Sequence, residues 1–291
     1  MGAAARVSRT DAAAVDPLRR ATIARKRRRD LTISTISTVV FFVVVITVVV
    51  TSPGWPAVRQ SFLSWPDAKA VWPDLVEGFK LTVFLFLTAE PVILLLAIVL
   101  AVLRGLTAPI LAPLRIVATM YVDLLRGIPT ILLVYVLAFG VPALDLGGVP
   151  TSAMFWGWVA LVLSYSAYVA EVLRAGLESV HPSQGAAARA LGLSRWQGLR
   201  HVVIPQAVRR VIPPLLNDFV ALQKDTALLF VVGAAVELFT AGAIYANLNF
   251  NFTPYVVAAL FYIALTVPLA RYTDRISARQ RARQQGAGAG L

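Results

Sequence analysis

The sequence predicts an all-α integral membrane protein built from several transmembrane helices. Three observations carry this. Hydrophobic residues make up 58% of the 291 residues and charged residues only 14%, against roughly a quarter charged in soluble domains. The apolar residues gather in runs of about 20, the length a helix needs to cross the hydrocarbon core of a bilayer. The charges cluster between those runs. With no cysteine in the chain, disulfides and thiolate metal sites are excluded. Its two histidines, His181 and His201, fall in one polar loop, and no metal site is expected there. A net charge of +12 invites a nucleic-acid reading, but in a membrane chain basic residues hold loops on the cytoplasmic side.

Six spans are expected in chain order. Residues 31–51 are nearly continuous Val, Ile, Phe and Thr. Residues 77–103 follow, interrupted midway by Glu90 and Pro91. The third, 128–143, is the shortest and has an amphipathic lead-in over 109–126. The fourth is 153–173. The fifth, 214–236, and the sixth, 254–272, each open at a proline. Around them we expect a basic cytoplasmic head over 1–30, an outside interfacial segment over 52–76 rich in Trp and Pro, a transmembrane domain over 77–275, and a disordered cytoplasmic tail over 276–291 that ends in Gly and Ala.

Lys and Arg number nine in residues 1–30, two in 51–76, two in 104–115, none in 141–152, six in 174–210, none in 237–253 and five from Arg271 onward. This alternation places both termini in the cytoplasm, together with the long loop 174–210. A cleaved signal peptide is not expected, because the basic head is too long and no A-x-A site follows the first apolar run. The head also suits contact with anionic lipid.

The loop has a distinct grammar. Pro182 and Ser183 start a helix through "QGAAARAL". Gly192 ends it as a C-terminal cap. Ser194 begins a second helix, with Gln197 placed for a capping box. Leu191, Leu193, Trp196, Leu199 and Val203 supply apolar surface, Arg189, Arg195 and Arg200 supply charge, and Pro205 closes the unit. A DNA-reading helix-turn-helix would need a folded domain to present it, and fewer than forty tethered residues cannot bury a core. The remaining readings are a docking helix for a partner's groove and an interfacial helix lying on the bilayer.

Here a family resemblance enters. The loop resembles the EAA loop of the membrane subunits of type I ABC importers: E-A-A, three residues, Gly, nine residues, then I-x-L-P. "AAA" at 186–188, three residues, Gly192, nine residues and "VVIP" at 202–205 match that spacing without a gap. The departure is Ala186, which stands where the pattern has glutamate. "SAYVAEVLRAGLESVHPSQ" at 166–184, "YVDLLRGIP" at 121–129, "IPQAVRRVIPPLLNDFVALQKDTALL" at 204–229 and "VEL" at 236–238 are similar to polar amino acid permeases of the histidine and glutamine type. The resemblance covers about residues 79 to 272.

The resemblance implies the type I ABC importer transmembrane-domain fold, with a five-helix core plus one extra N-terminal transmembrane helix. It implies a permease subunit, not an enzyme, that forms the pathway for a polar or charged amino acid in a bacterial inner membrane. The chain has no G-x-x-x-x-G-K-[ST], so no cofactor is expected on it; ATP and Mg²⁺ would belong to a dimer of separate ABC ATPase subunits. The other implied partners are a second permease subunit, identical or homologous, and an extracytoplasmic substrate-binding protein. Coupling to the ATPase would fall to loop 178–207, through Ala186, Ala187, Ala188, Leu191, Gly192, Ser194, Arg195, Trp196 and Pro205. Ala187, Ala188 and Leu191 are expected against the ATPase or the adjoining spans.

Ionisable residues near or inside spans are costly and often functional. Asp123 with Arg126, and Glu171 with Arg174, are spaced to pair on one helix face. Glu90, without a sequence neighbour to pair with, is a candidate for the pathway or for a partner on another span. Asn217 and Lys224, seven apart on one face, join Asp225 and Thr226 as candidates for the pathway or its gate. A second functional class stays open, an ion-gradient-driven secondary transporter, although the internal repeat such proteins usually carry is not evident.

Overall fold

The structure, a computed structural model, describes residues 17–233 and 236–288, with side chains for 25–26, 28–233 and 236–278. The expected basic head lies partly outside these residues, over 1–16, as do the last three residues of the tail. The chain divides into two units, residues 1–60 and 61–291. In the first, α1 (Pro17–Val50) takes up the end of the basic head and runs unbroken through the first apolar segment. After it comes α2 (Trp55–Phe62), which reaches into the second unit.

The second unit is a helical bundle. Its longest helix with a full set of described side chains is α3 (Trp65–Arg104), which starts well before the expected span and takes up much of the outside segment. Pro73 and Pro91 lie inside it. Next come α4 (Ala112–Gly127), α5 (Thr130–Tyr135) and the short α6 (Val141–Ala143), with a π-helical turn over Val136–Gly140 between the last two. The chain bends by 106° between residues 109–127 and 130–143. The cause is local: Ile128 precedes Pro129, whose ring drives it out of the helical region to φ −92°, ψ 129°. The amphipathic lead-in and the short third span are therefore two limbs of one bent element.

Then follow α7 (Ala153–Glu178), α8 (Pro182–Ala190), α9 (Arg195–Gly198), a π-helical turn over Leu199–Val203, α10 (Ile204–Asp225), a 3₁₀ stretch over Thr226–Val232, α11 (Leu238–Asn249) and α12 (Thr253–Gly288). α12 continues through residues 276–288, where a disordered tail was expected. Among the described residues, four helices are long and apolar enough to cross a membrane, within α1, α3, α7 and α12, and the bent pair makes five.

Two expectations change here. The fifth span, expected at 214–236, is α-helical from Ile204 to Asp225, ten residues earlier, and Pro213 and Pro214 lie inside it. Its five charged residues, Arg209, Arg210, Asp218, Lys224 and Asp225, keep it out of the apolar class. The segment 237–253, expected as a plain connection, contains α11, whose Leu238, Ala241, Gly242, Ala243 and Ala246 are buried.

The core forms where α3 meets α7. Leu85, Phe86, Ala89, Ile93 and Ala97 of α3 pack with Ala160, Leu161, Ala167 and Ala170 of α7, joined by Val122 of α4 and Leu222 of α10. Small residues set how closely the helices approach, as is usual in membranes. A methyl on Gly176 of α7 would overlap Val211 Cγ2 of α10, and one on Gly78 of α3 would sit 2.9 Å from the backbone of Glu237 and Leu238. A smaller cluster joins Val71 and Leu75 of α3 to Leu238 and Ala241 of α11 and Ala258 of α12. At that end Asp67 accepts hydrogen bonds from Tyr245 and Asn251, both at 3.0 Å, and from Ser64.

Candidate coupling loop and intramembrane polar layer

The loop between α7 and α10 is built by helix caps. His181 caps α8 by accepting from the Ser183 N–H at 3.2 Å. At the other end the Leu193 N–H donates to the Ala188 carbonyl (3.1 Å) and the Gly192 N–H to the Arg189 carbonyl (2.9 Å). That pair of bonds is a Schellman motif, and it requires the left-handed backbone at C′ that Gly192 supplies, φ +83°. Ser194 then opens α9 with a complete capping box: the Gln197 N–H donates to Ser194 Oγ at 3.2 Å and the Ser194 N–H donates to Gln197 Oε1 at 2.8 Å.

Ala188, 3% exposed, packs inside the loop and not on its outer face. A methyl on Gly198 of α9 would lie 3.4 Å from its Cβ, so two small residues bring α8 and α9 together. Ala186, Ala187, Ser194 and Arg195 are exposed. Leu191 is 82% and Trp196 63% exposed, with Leu199 of the π turn at 37%, so two large apolar side chains stand well out from the capped loop. The loop is tied to α10 by the Gln206 amide donating to Gln184 at 3.2 Å and by the Arg210 guanidinium donating to the Ser179 carbonyl.

Pro205 does not close the unit. It lies in the first turn of α10, and the chain stays helical from Arg195 to Asp225. Proline has no N–H to give the carbonyl of His201, and its ring crowds that carbonyl. The wider π turn over Leu199–Val203 absorbs this defect without stopping the helix. α9, the π turn and α10 thus form one continuous helical path.

At the loop end of the bundle, Glu171 of α7 gathers three guanidiniums: Arg104 of α3 at 2.7 Å, Arg174 at 2.5 Å and Arg126 of α4 at 3.6 Å. Arg174 also reaches Glu178. The expected Asp123–Arg126 pair is not formed: Asp123 is exposed, and Arg126 turns to the more sheltered Glu171 and lies 6.0 Å from the centre of the Tyr168 ring. A carboxylate shielded from water holds a guanidinium more strongly than an exposed one on the same helix.

The remaining candidates separate. Asn217 and Lys224 are exposed on α10. Asp225 accepts from the Tyr165 hydroxyl of α7 at 2.7 Å. Thr226 is buried and donates to the Gln223 carbonyl at 2.9 Å. Glu90 is half-buried on α3, and Asp218 of α10 has one carboxyl oxygen buried without a hydrogen-bond partner.

Sequence reasoning gave no role to Asp218, or to a buried polar layer close to Thr226. In that layer Thr266 donates to Gln223 Oε1 at 2.6 Å. Glu237 caps α11, accepting from the N–H groups of Phe239 (2.7 Å) and Thr240 (2.8 Å). The Leu238 N–H donates to Thr82 of α3 at 3.2 Å, and Tyr262 of α12 donates to Glu237 at 3.4 Å. In "VEL", noted only for its resemblance, the signal that could have found the layer is an acidic residue ahead of a helix start. Among the described residues no cluster of His, Cys, Asp or Glu could hold a metal ion.

A bundle of membrane-length helices with a capped polar loop between α7 and α10 defines an integral membrane protein of the helical class. The family described as the inner membrane component of binding-protein-dependent transport systems matches residues 93–282. The probable glutamine ABC transporter permease protein GlnM of Bacillus subtilis is 35% identical over 195 residues, 67% of this chain and 88% of that protein. The glutamine transport system permease protein GlnP of Escherichia coli K12 is 34% identical over 224 residues, 74% of this chain and 98% of that one. Among solved structures, an amino acid ABC transporter crystallised with histidines matches with a TM-score of 0.67 at 27% identity, over 74% of this chain and 98% of that one. The MetNI methionine ABC transporter shares the fold, with a TM-score of 0.56 at 20% identity. The chain belongs to this family of binding-protein-dependent inner membrane components and is the multi-pass permease subunit of an ABC importer. That sets aside the secondary transporter.

Proposed function

We propose that this permease carries a polar or charged amino acid across a bacterial inner membrane, driven by a dimer of separate ABC ATPase subunits and supplied by an extracytoplasmic binding protein. A second permease subunit, identical or homologous, completes the pathway, and ATP and Mg²⁺ are held by the ATPases. The observation that carries this reading is the pair Leu191 and Trp196, held outward by a Schellman turn and a capping box on a polar loop. Exposed apolar anchors on a preorganised surface are what a partner's groove takes. Ala186, Ala187 and Arg195 flank them. Ala188, Gly192 and Ser194 fix the angle of the anchors, and Pro205 with its π turn passes motion into α10.

In the membrane, Asn217, Lys224 and Glu90 face the pathway, with Asp225 and Thr226 holding the end of α10 through Tyr165 and Gln223. The amino acid assignment is supported by the names of the relatives and by the polar character of these side chains. Both termini are proposed to be cytoplasmic, on the charge alternation.

The test is to copurify the ATPase with Leu191→Ser and Trp196→Ala variants and to measure solute-stimulated ATP hydrolysis of the reconstituted complex. Each variant is expected to weaken association by about 1–2 kcal/mol, roughly tenfold, with membrane insertion unchanged. Full association and full stimulation in both variants would remove the loop as the coupling element.

A further inference from the structure

A cavity of about 330 Å³ opens at the loop end of the bundle, lined by Arg104, Arg115, Ile116, Thr119, Met120, Arg174 and Glu178. Its wall holds three guanidiniums and one carboxylate. Glu171, behind the wall, already serves Arg104 and Arg174 as well as Arg126. Arg115 has no carboxylate partner among the described residues; it donates to the Leu106 carbonyl at 3.0 Å, which satisfies one N–H of its fork and neutralises none of its charge. Excess positive charge in a half-buried pocket is costly unless an anion completes it, and a guanidinium fork matches a phosphate bidentately.

The apolar wall tells which phosphate. Ile116 and Met120 lie one turn apart on α4 and are 54% and 65% exposed. They continue from the pocket as a greasy strip at the end of a transmembrane bundle. A free phosphate gains nothing from such a strip, whereas an acyl chain gains burial along it. We propose that this pocket seats the phosphate of one anionic lipid from the leaflet on the loop side, with Arg115 as the donor, the carboxylate-paired Arg104 and Arg174 adding positive charge at the wall, and Ile116 and Met120 against the chain. Basic pockets between helices on the cytoplasmic side suit such headgroups. The site touches the ends of α3, α4 and α7, so a lipid there would brace the platform from which the coupling loop departs.

The experiment uses the full chain, extracted with its ATPase partner from vesicles of phosphatidylcholine mixed with phosphatidylglycerol, and counts retained lipids by native mass spectrometry. One phosphatidylglycerol per permease chain is expected to survive extraction, with phosphatidylcholine washed away. Arg115→Gln should lower retention about fivefold or more, and Arg115→Lys by less, since it keeps the charge and loses the fork. Met120→Glu removes no bond of the fold and sets a carboxylate beside the phosphate; it should lower retention as strongly, and it decides the matter should Arg115→Gln fail to fold. Retention unchanged in Met120→Glu overturns the proposal. Displacement of the lipid by millimolar inorganic phosphate also overturns it, because the pocket is then a site for the free ion.

Discussion

Gly192 and Gly176 are both glycines for steric reasons, and the reasons differ. Gly192 has open space around its missing side chain but sits at φ +83°. The cost of substitution there is backbone strain, about 1–2 kcal/mol for an L-residue and least for Asn, which tolerates the left-handed region. Gly192→Val should therefore reduce solute uptake roughly tenfold by depopulating the docked angle of α9, while Gly192→Asn keeps most of it; equal uptake by both variants would show that the cap does not matter. Gly176 has ordinary helical surroundings but no room, since its added methyl would overlap Val211 Cγ2. Gly176→Ala should lower the melting temperature of the purified protein, reflecting about 1–3 kcal/mol of overpacking. Gly176→Ala combined with Val211→Ala should recover much of the loss, because the second change empties the space the first one fills.

Among the elements, the path from α9 through the π turn into α10 is the one on which the proposed coupling depends. A proline inside an α-helix costs about 3 kcal/mol, and here the defect at Pro205 is absorbed by five residues of wider winding, Leu199–Val203. Replacing the proline removes the reason for that winding. Pro205→Ala should let the segment relax toward α geometry and turn α9 about the helix axis, moving Trp196 away from its docking direction. The expected result is a complex that still assembles but whose ATP hydrolysis responds weakly to solute. Unchanged stimulation would mean that the winding of this segment does not set the coupling angle. The same element view explains Pro213 and Pro214: they read as a helix start, but α10 has begun by Ile204, held by Gln206 and Arg210 against Gln184 and Ser179.

For the whole molecule, the family match begins at residue 93, and the Escherichia coli relative is covered over 98% of its length by 74% of this chain. The second unit, 61–291, contains the whole matched region, both hydrophobic clusters and the loop between α7 and α10. α1 belongs to the other unit, and both clusters as described are built from residues of the second unit. Deleting residues 1–60 should therefore leave a protein that inserts, binds the ATPase and transports. Loss of ATPase binding on that deletion, with insertion intact, would give the extra N-terminal helix a role in assembly.

The sequence alone determined the features that depend on neighbours along the chain. Apolar run length marked α1, α3, α7 and α12; the cap signals at Gly192, Ser194 and Gln197 marked both loop helices; and the spacing from Ala186 to Pro205 marked the family. Tertiary structure alone decided what depends on residues far apart. Three spacing at Asp123 and Arg126 allowed a local pair, but a shielded Glu171 from another helix offered the stronger partner. α11 was invisible because its twelve residues, though apolar, are too few to cross a membrane and show no one-sided pattern; they become a buried face only where α3 and α12 lie against them. Asp218, Gln223 and Glu237 looked like scattered polar residues. Their meaning comes from burial, which makes every polar atom find a partner or stand out without one, and burial is a property of the packed bundle that no single segment carries.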